Sequence, residues 1–196
     1  SICYTDIKNA SFGVSILNVG ADADFSSPPD VVLENSVFRN ISGSNPAYVS
    51  NDYPPGGIVS LSGTVRATNC LLTNCGEYAV LGVGQSDISL NFCTVANYTP
   101  SFNRKTASLT FDCQRPDEAT PNKLPHQVRI SNSIIWGSIE DELYWEGFPS
   151  SNYTIRINNS ILRTKDYTPN PTEFNTSANT PNLTDDPKFK RTPFNS

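Results

Sequence analysis

A short motif that recurs along the chain restricts the fold more than any other feature of the sequence. Each copy has a polar residue, usually Asn, then a small Ser or Cys, two residues that are usually apolar, one variable residue and often a second Asn. The clearest copies lie in the segments 33–40, 68–74, 91–97, 131–137 and 158–164, with a weaker copy at residues 4–9. Successive clear copies lie about 31 residues apart on average, a spacing that is typical of solenoids built from repeated coils.

Short β-type runs flank these motifs on both sides. One run precedes each clear copy, at residues 31–33, 65–67, 88–90, 128–130 and 154–157, and a further run lies at residues 13–17, 57–61, 79–83, 107–111 and 142–145. The turns between runs are too short for crossover helices, and fifteen Pro and eleven Gly favour many turns. The pattern predicts an all-β, right-handed parallel β-helix of about six coils over residues 1–166. An irregular C-terminal cap of the same domain is predicted over residues 167–196.

Alternation along each strand predicts which side chains fill the interior. We expect small residues at one interior position, namely Ser36, Cys70, Cys93, Ser133 and Ser160. Two residues later we expect apolar residues, namely Phe38, Leu72, Val95, Ile135 and Leu162. The second Asn of the motif is expected to stack in a ladder at one turn, formed by Asn9, Asn40, Asn74 and Asn97. Cys70 and Cys93 are then buried fillers, because the five cysteines have no metal-ligand spacing.

Further expectations concern the aromatic residues, the histidine and the tail. His126, the only histidine, lies in a Pro-rich loop and is predicted to be solvated. Trp145 is predicted to point inward, whereas Trp136 occupies the variable position of its motif and is predicted to be exposed. The Pro-, Thr- and Asn-rich tail is expected to cover the last coil, because the open end of a solenoid exposes strand edges. Its predicted anchors are Phe174, Leu183, Phe189 and Phe194.

The charge and the ends of the chain restrict its partners. The net charge of −5 argues against a nucleic-acid partner, because phosphate binding requires a basic surface. No apolar run is long enough to span a bilayer. The chain begins without Met and in strand-like sequence, so we expect it to be a piece of a longer protein whose N-terminal part is its partner.

A family likeness is carried by residues 4–10, 69–76, 92–98, 132–137 and 186–189. These segments resemble right-handed parallel β-helix proteins of the pectate-lyase-like superfamily, and above all the group that is common among Bacteroidetes surface and secreted proteins. The resemblance implies an exported bacterial protein that is extracellular or on the outer-membrane surface, with a lipid anchor on the parent. The superfamily includes polysaccharide lyases, hydrolases, binding proteins and structural proteins, so the resemblance implies a fold and leaves the activity open.

A candidate site follows from the long loops at residues 18–30, 42–56, 112–127 and 146–153. Three of these four loops follow the third strand of a coil, so they are expected to border the outer face of that strand. Outward residues there are predicted to be Ser108, Thr110, Glu142 and Tyr144, flanked by Arg104, Lys105, Asp112, Glu140, Asp141 and Glu146. A hydrolase needs two carboxyls, and a lyase needs a base and a cation that neutralises the acid group of the sugar. The candidate catalytic residues are Glu142, Lys105, Asp112 and Glu146. The candidate substrate-binding residues are Tyr144, Trp136, Arg104 and Thr110.

Three functions stay open at this point. The first is a surface-exposed or secreted, non-catalytic module that binds a glycan, which the lack of a paired catalytic signature favours. The second is a polysaccharide lyase or glycoside hydrolase acting on an acidic or a plant or host polysaccharide, although the same acidic residues also fit a solvated charged face. The third is a structural spacer of a multidomain adhesin. No cofactor or metal site is predicted, and Asp22 and Asp24 are the one hint of calcium.

Overall fold

Strands form the regular structure of the chain. A computed structural model describes residues 1–19, 23–42, 54–99, 104–113, 125–147, 151–166 and 182–190. These described residues contain seventeen strands and no helix. They therefore also contain no helix that is long and apolar enough to cross a membrane.

The strands form three parallel sheets, and the chain visits each sheet once per coil. The first sheet contains β1 (Ile2–Cys3), β4 (Asp30–Glu34), β7 (Thr64–Thr68), β10 (Asp87–Asn91), β13 (His126–Ser131) and β16 (Tyr153–Asn158). The second contains β2 (Asp6–Ala10), β5 (Val37–Ile41), β8 (Leu71–Cys75), β11 (Thr94–Asn97), β14 (Ile134–Gly137) and β17 (Ile161–Leu162). The third contains β3 (Phe12–Leu17), β6 (Gly56–Leu61), β9 (Tyr78–Val83), β12 (Leu109–Asp112) and β15 (Leu143–Trp145). This order confirms the predicted all-β parallel β-helix of about six coils.

The small residues of the motif stack inside the solenoid, as predicted. The Ser133 hydroxyl donates to the Ser131 carbonyl at 2.7 Å and accepts from the Cys93 amide at 3.0 Å. In the next coil the Ser160 hydroxyl donates to the Asn158 carbonyl at 2.8 Å and accepts from the Ser133 amide at 3.2 Å. Each small side chain thus satisfies a buried backbone amide of the coil before it, which a larger residue could not do in the same space.

The apolar positions and the two motif cysteines also lie where alternation predicts. The five apolar residues are completely buried, namely Phe38, Leu72, Val95, Ile135 and Leu162. Cys70 and Cys93 are buried free thiols in the column of small residues. Both sulfur atoms make weak contacts with backbone carbonyls, which confirms their predicted role as interior fillers.

The predicted asparagine ladder exists at the turn between the second and third sheets. Asn9, Asn40 and Asn74 adopt φ values of 56°, 54° and 53°, a left-handed conformation that Asn tolerates better than most residues. The Asn40 amide donates to the Asn9 amide oxygen at 3.2 Å, and Asn74 donates to Asn40 at 3.3 Å. Asn97 departs from this pattern because its buried side chain turns inward and accepts a hydrogen bond from the Cys75 amide at 2.7 Å.

A second left-handed row, which the sequence did not lead us to expect, lies at the turn between the first and second sheets. The residue directly before the small Ser, Cys or Thr of each motif copy occupies it with φ between 50° and 53°, namely Tyr4, Asn35, Asn69, Phe92, Asn132 and Asn159. The Asn69 amide donates to the Asn35 amide oxygen at 2.7 Å, so these residues also bond between coils. The left-handed backbone conformation therefore explains the Asn at the start of the motif as it explains the Asn at its end.

The C-terminal segment caps the last coil through its backbone and one polar side chain. Leu183 donates its amide to the Ser160 carbonyl, and its carbonyl accepts from the Leu162 amide, each at 2.8 Å. The Asn182 side chain accepts from the Ser160 amide at 3.1 Å and donates to the Ile157 carbonyl at 2.8 Å. Asn182 thus takes the next place in the column of small residues and satisfies the last exposed rung.

The predicted apolar anchors of this cap differ in how far they are buried. Leu183 is 50% exposed, so its side chain is not an anchor, because the anchoring groups are its backbone atoms and Asn182. Phe189 is partly buried and packs edge-on against Tyr98, with 6.4 Å between the ring centroids. Phe174 and Phe194 lie outside the described residues.

His126 is a core residue, so the prediction of a solvated loop histidine is wrong. It begins β13 and lies in phase with Val128 and Ile130, both of which point inward. Its Nδ1 donates to the Gly84 carbonyl at 3.0 Å, and its Nε2 has no hydrogen-bond partner in the described part of the chain. Burial lowers the pKa of His126 to about 4, because the charged imidazolium would lose its hydration.

We expect His126 to make the protein acid-sensitive. Between pH 6.5 and about pH 4 the unfolded chain binds a proton at this side chain and the folded chain does not. The free energy of unfolding should therefore fall by about 3 kcal/mol as the pH is lowered through that window. Urea titrations at pH 7, 5.5 and 4.5 should show this loss in the native protein and a clearly smaller one in His126→Asn, which keeps a donor for the Gly84 carbonyl. Equal pH slopes in the two proteins would contradict the assignment.

The Asn ladder gives a second stability test at Asn40. Asn40→Ala removes both ladder hydrogen bonds and forces a β-carbon without local hydrogen bonding into the left-handed region. Asn40→Gly removes the same hydrogen bonds without that backbone strain. We expect the alanine variant to be less stable than the glycine variant by about 1 kcal/mol, measured by urea unfolding. The opposite order would show that backbone conformation does not explain the Asn.

Candidate functional site

Glu142 lies inside the solenoid, at the corner between the second and third sheets. It precedes β15, where strict alternation would turn it outward together with Tyr144. The Leu109 amide donates to the Glu142 carbonyl, and the Ala79 amide donates to the Ser108 carbonyl, so the three residues stack in successive coils. Ala79, Ser108 and Glu142 are all completely buried. The bend of the chain at this corner turns their side chains inward, and the predicted outward positions of Ser108 and Glu142 are wrong.

Arg104 forms a buried ion pair with Glu142. One guanidinium nitrogen contacts both carboxylate oxygens, at 2.6 Å and 2.7 Å, and both side chains have no exposed surface. The carboxylate also accepts from the Ser108 amide and hydroxyl and from the Ile139 amide. Arg104 in turn donates to the carbonyls of Thr106 and Asn97. These contacts use Glu142 and Arg104 structurally and keep both side chains away from any ligand outside the coil.

An open groove lies over the third sheet, beside the buried ion pair. It has a volume of about 420 Å³ and is lined by Tyr78, Lys105, Thr106, Ala107, Thr110, Ile139, Asp141, Leu143, Tyr144 and Asp166. Thr110 and Tyr144 are register partners on β12 and β15, and both point outward as predicted. The Tyr144 side chain is 45% exposed. Three candidate residues, Lys105, Thr110 and Tyr144, are therefore brought together.

The groove begins where an outer apolar cluster ends. Val59 and Leu81 occupy the same outward row as Thr110 and Tyr144, and they lie three coils and two coils before Tyr144, respectively. Val59 and Leu81 are buried in a small cluster outside the third sheet, together with Leu61. The outer face of this sheet is therefore covered and apolar in the second and third coils, and polar and open in the fourth and fifth.

Asp141 is a groove carboxylate with a fixed hydrogen-bonding arrangement. Its Oδ1 accepts from the Thr164 hydroxyl at 3.0 Å and from the amides of Lys165 and Asp166 at 2.6 Å and 3.0 Å. Partial burial acts to raise the pKa of Asp141, but these hydrogen bonds outweigh it and hold the pKa below its ordinary value. Asp141 was expected only to flank the site. Asp166 was not expected at all, because it follows β17 in the sixth coil and carries no local pattern that places it near the third sheet.

The predicted catalytic set does not gather at one point. Lys105 lines the groove, whereas Glu142 is sealed inside the coil. Glu146 accepts a hydrogen bond of 2.5 Å from the Tyr144 hydroxyl and so lies at the rim of the groove. Asp112 ends β12, is partly buried, and is not among the described residues that line the groove.

Trp136 is buried, so its predicted role as an exposed stacking surface is wrong. It keeps only 7% of its surface exposed and lies on β14 of the second sheet, away from the groove residues of the third sheet. The guanidinium of Arg163, from the next coil, lies 5.7 Å from the centroid of its ring and covers it. Trp145 is buried in the core, as predicted.

The described ranges hold no group of three His, Cys, Asp or Glu side chains that could share a metal ion. The Asp24 carboxylate, one of the two residues that hinted at calcium, accepts from the Ser26 amide and hydroxyl and from the Ser27 amide. Asp22 lies outside the described residues.

The buried ion pair predicts a strong effect on stability when one partner is removed. Glu142→Ala leaves the Arg104 charge buried without its counterion, so we expect the free energy of unfolding to fall by about 3 kcal/mol or more. The double variant Arg104→Met with Glu142→Leu removes both charges and should lose less than Glu142→Ala alone. Urea unfolding of the three proteins tests this expectation. A harmless Glu142→Ala would show that the carboxylate has no structural role.

Comparison of the chain with protein-family models, with curated proteins and with solved structures finds no match.

Proposed function

We propose that this β-helix is a glycan-binding module and that the groove over the third sheet is its binding site. The observation that carries the proposal is Tyr144, an aromatic side chain that is half exposed beside an open groove whose mixed lining includes a lysine, two threonines and two aspartates. The apolar face of a sugar ring packs on such an aromatic surface, while its hydroxyl groups need polar partners around the ring.

The polar partners lie around Tyr144. Thr110 is its neighbour on the adjacent strand and offers a hydroxyl group, and Lys105 offers an ammonium donor. Asp141 supplies a carboxylate acceptor on another wall of the groove. An aromatic surface with a few fixed donors and acceptors is the usual composition of a small-molecule or glycan site.

The arrangement supports binding better than hydrolysis. A glycoside hydrolase needs one carboxylic acid that donates a proton and a second carboxylate on the opposite side of the bond. Glu142 cannot reach a ligand, and the lowered pKa of Asp141 disfavours the protonated form that a general acid requires. A lyase would still have Lys105 as a cation in the groove, so the binding experiment also measures product formation.

The wider setting belongs to the same proposal. The coil architecture and the residues that resemble the pectate-lyase-like superfamily support an exported, bacterial, surface-exposed parent protein with a lipid anchor. Under the spacer alternative the groove would have no ligand, and its loss would change no binding property. A binding experiment on the groove therefore distinguishes the glycan-binding function from the spacer function.

Substitution of Tyr144 tests the proposal. The purified chain is screened by affinity electrophoresis against mixed-linkage β-glucan, galactomannan, xylan, galactan and polygalacturonate, and each mixture is assayed for unsaturated and reducing-end products. We expect at least one polymer to bind, and Tyr144→Ala to weaken that binding about tenfold through loss of the stacking surface.

Tyr4→Ala is the matched control, because Tyr4 is 83% exposed and lies in the first coil, away from the groove. It should leave the affinity unchanged. Absence of binding to every polymer, or equal loss in the two variants, would contradict the proposed site. Product formation that Lys105→Gln abolishes would replace the binding function with a lyase.

A further inference from the structure

The charges around the groove indicate which class of glycan it binds, and this inference rests on the proposed glycan-binding function. We infer that the groove selects uncharged sugars, read through their hydroxyl groups by Asp141, and rejects polyuronates. This inference narrows the site to neutral glycans and removes acidic polysaccharides from its ligands.

In the part of the chain that the structure describes, carboxylates outnumber cations at the groove. Asp141 and Asp166 line it, and Glu146 is bonded to the Tyr144 hydroxyl at its rim. Among the described residues Lys105 is the one cation in the lining. Lys165, which lies nearby, pairs with Glu140 at 3.4 Å and so adds no net charge. A uronate carboxylate entering this groove would meet more like charges than opposite ones.

Asp141 has the form of a fixed hydroxyl acceptor. Three protein donors from residues 164–166 all bond to Oδ1, and no described residue donates to Oδ2. These bonds hold the carboxylate in one orientation and in its ionised form, so Oδ2 is left to accept a hydrogen bond from a ligand. A sugar hydroxyl donates such a charge-assisted bond, whereas an ionised uronate group has no proton to give.

The placement of Asp141 favours recognition over a purely structural role. A buried structural carboxylate would use both oxygens within the protein, as Glu142 does with four donor groups on its two oxygens. Asp141 instead uses one oxygen for the turn after β17, receives no hydrogen bond from a described residue on the other, and lines the groove. The neighbouring Tyr144 supplies the apolar contact that a neutral sugar ring needs, so one ring could meet both groups.

A chemically matched ligand pair tests this selectivity. A neutral hexose polymer that binds in the screen, namely β-glucan, galactomannan or galactan, is oxidised at C6, which converts its hydroxymethyl groups to carboxylates on an unchanged backbone. Part of this product is then methyl-esterified. We expect oxidation to weaken binding at least about tenfold at 150 mM salt, and esterification to restore most of the affinity. If the oxidised polymer binds as tightly as its parent or more tightly, the inference is wrong.

Asp141→Asn tests the reading of hydroxyl groups. Asparagine keeps an oxygen for the turn donors but replaces the free carboxylate oxygen with an amide donor, so affinity for the neutral polymer should fall about tenfold. Asp24→Asn is the matched control, because Asp24 also accepts three turn hydrogen bonds but does not line the groove. Unchanged affinity in Asp141→Asn, with thermal stability equal to that of the control, would overturn this assignment.

The proposed binding site and the proposed ligand class are contradicted by different results. If Tyr144→Ala leaves binding unchanged, the groove is not the site and the proposed function itself fails. If Tyr144→Ala weakens binding while the oxidised polymer binds as well as the neutral one, the groove is the site and only the ligand class is wrong.

Discussion

In-register stacking of equivalent residues from coil to coil is the constraint on which the structure depends. Parallel strands carry hydrogen bonds between neighbouring coils, but the turns between strands leave amides that no strand can satisfy. The column of small residues satisfies one such amide per coil, as Ser133 does for Cys93 and Ser160 does for Ser133. Asn182 continues this column in the cap, so the same rule that builds the coils also ends them.

Backbone conformation explains why the motif is rich in asparagine. The turn between the first and second sheets places one residue in the left-handed region in every coil, and the turn after the second sheet does so at an Asn in the first three coils. Asn adopts this conformation at lower cost than most residues with a side chain. Glycine would satisfy the backbone but could not form the side-chain bonds that join Asn40 to Asn9 or Asn69 to Asn35. Phe92 and Tyr4 occupy the same turn without a side-chain amide. The left-handed conformation is therefore present even where no hydrogen-bonded Asn ladder can form.

The alternation of residues along each strand and the recurring motif were enough to predict the coils and most of the interior side chains. They failed where the chain leaves the strand geometry that alternation assumes. Glu142 and Ser108 stand at a corner, where a bend turns an outward position inward, and Trp136 is covered by an arginine from another coil. His126 was misplaced because Pro and polar neighbours resemble a loop, although its phase with Val128 places it inside. Asp166 reaches the groove from the sixth coil, a contact that no local pattern records.

The stacked coils also explain why a site can arise on one part of an otherwise uniform surface. Backbone pairing and the interior columns fix the coil geometry, so the outward row of the third sheet is free to vary without loss of the fold. In that row Val59 and Leu81 are buried under an outer cluster, whereas Thr110 and Tyr144 face an open groove. The change occurs between adjacent coils whose strands β9 and β12 pair in register, so the backbone of the sheet continues across it. Thr110 and Tyr144 stand on strands that are paired in register, and a binding surface fixed in this way reduces the ordering cost of binding a flexible polymer.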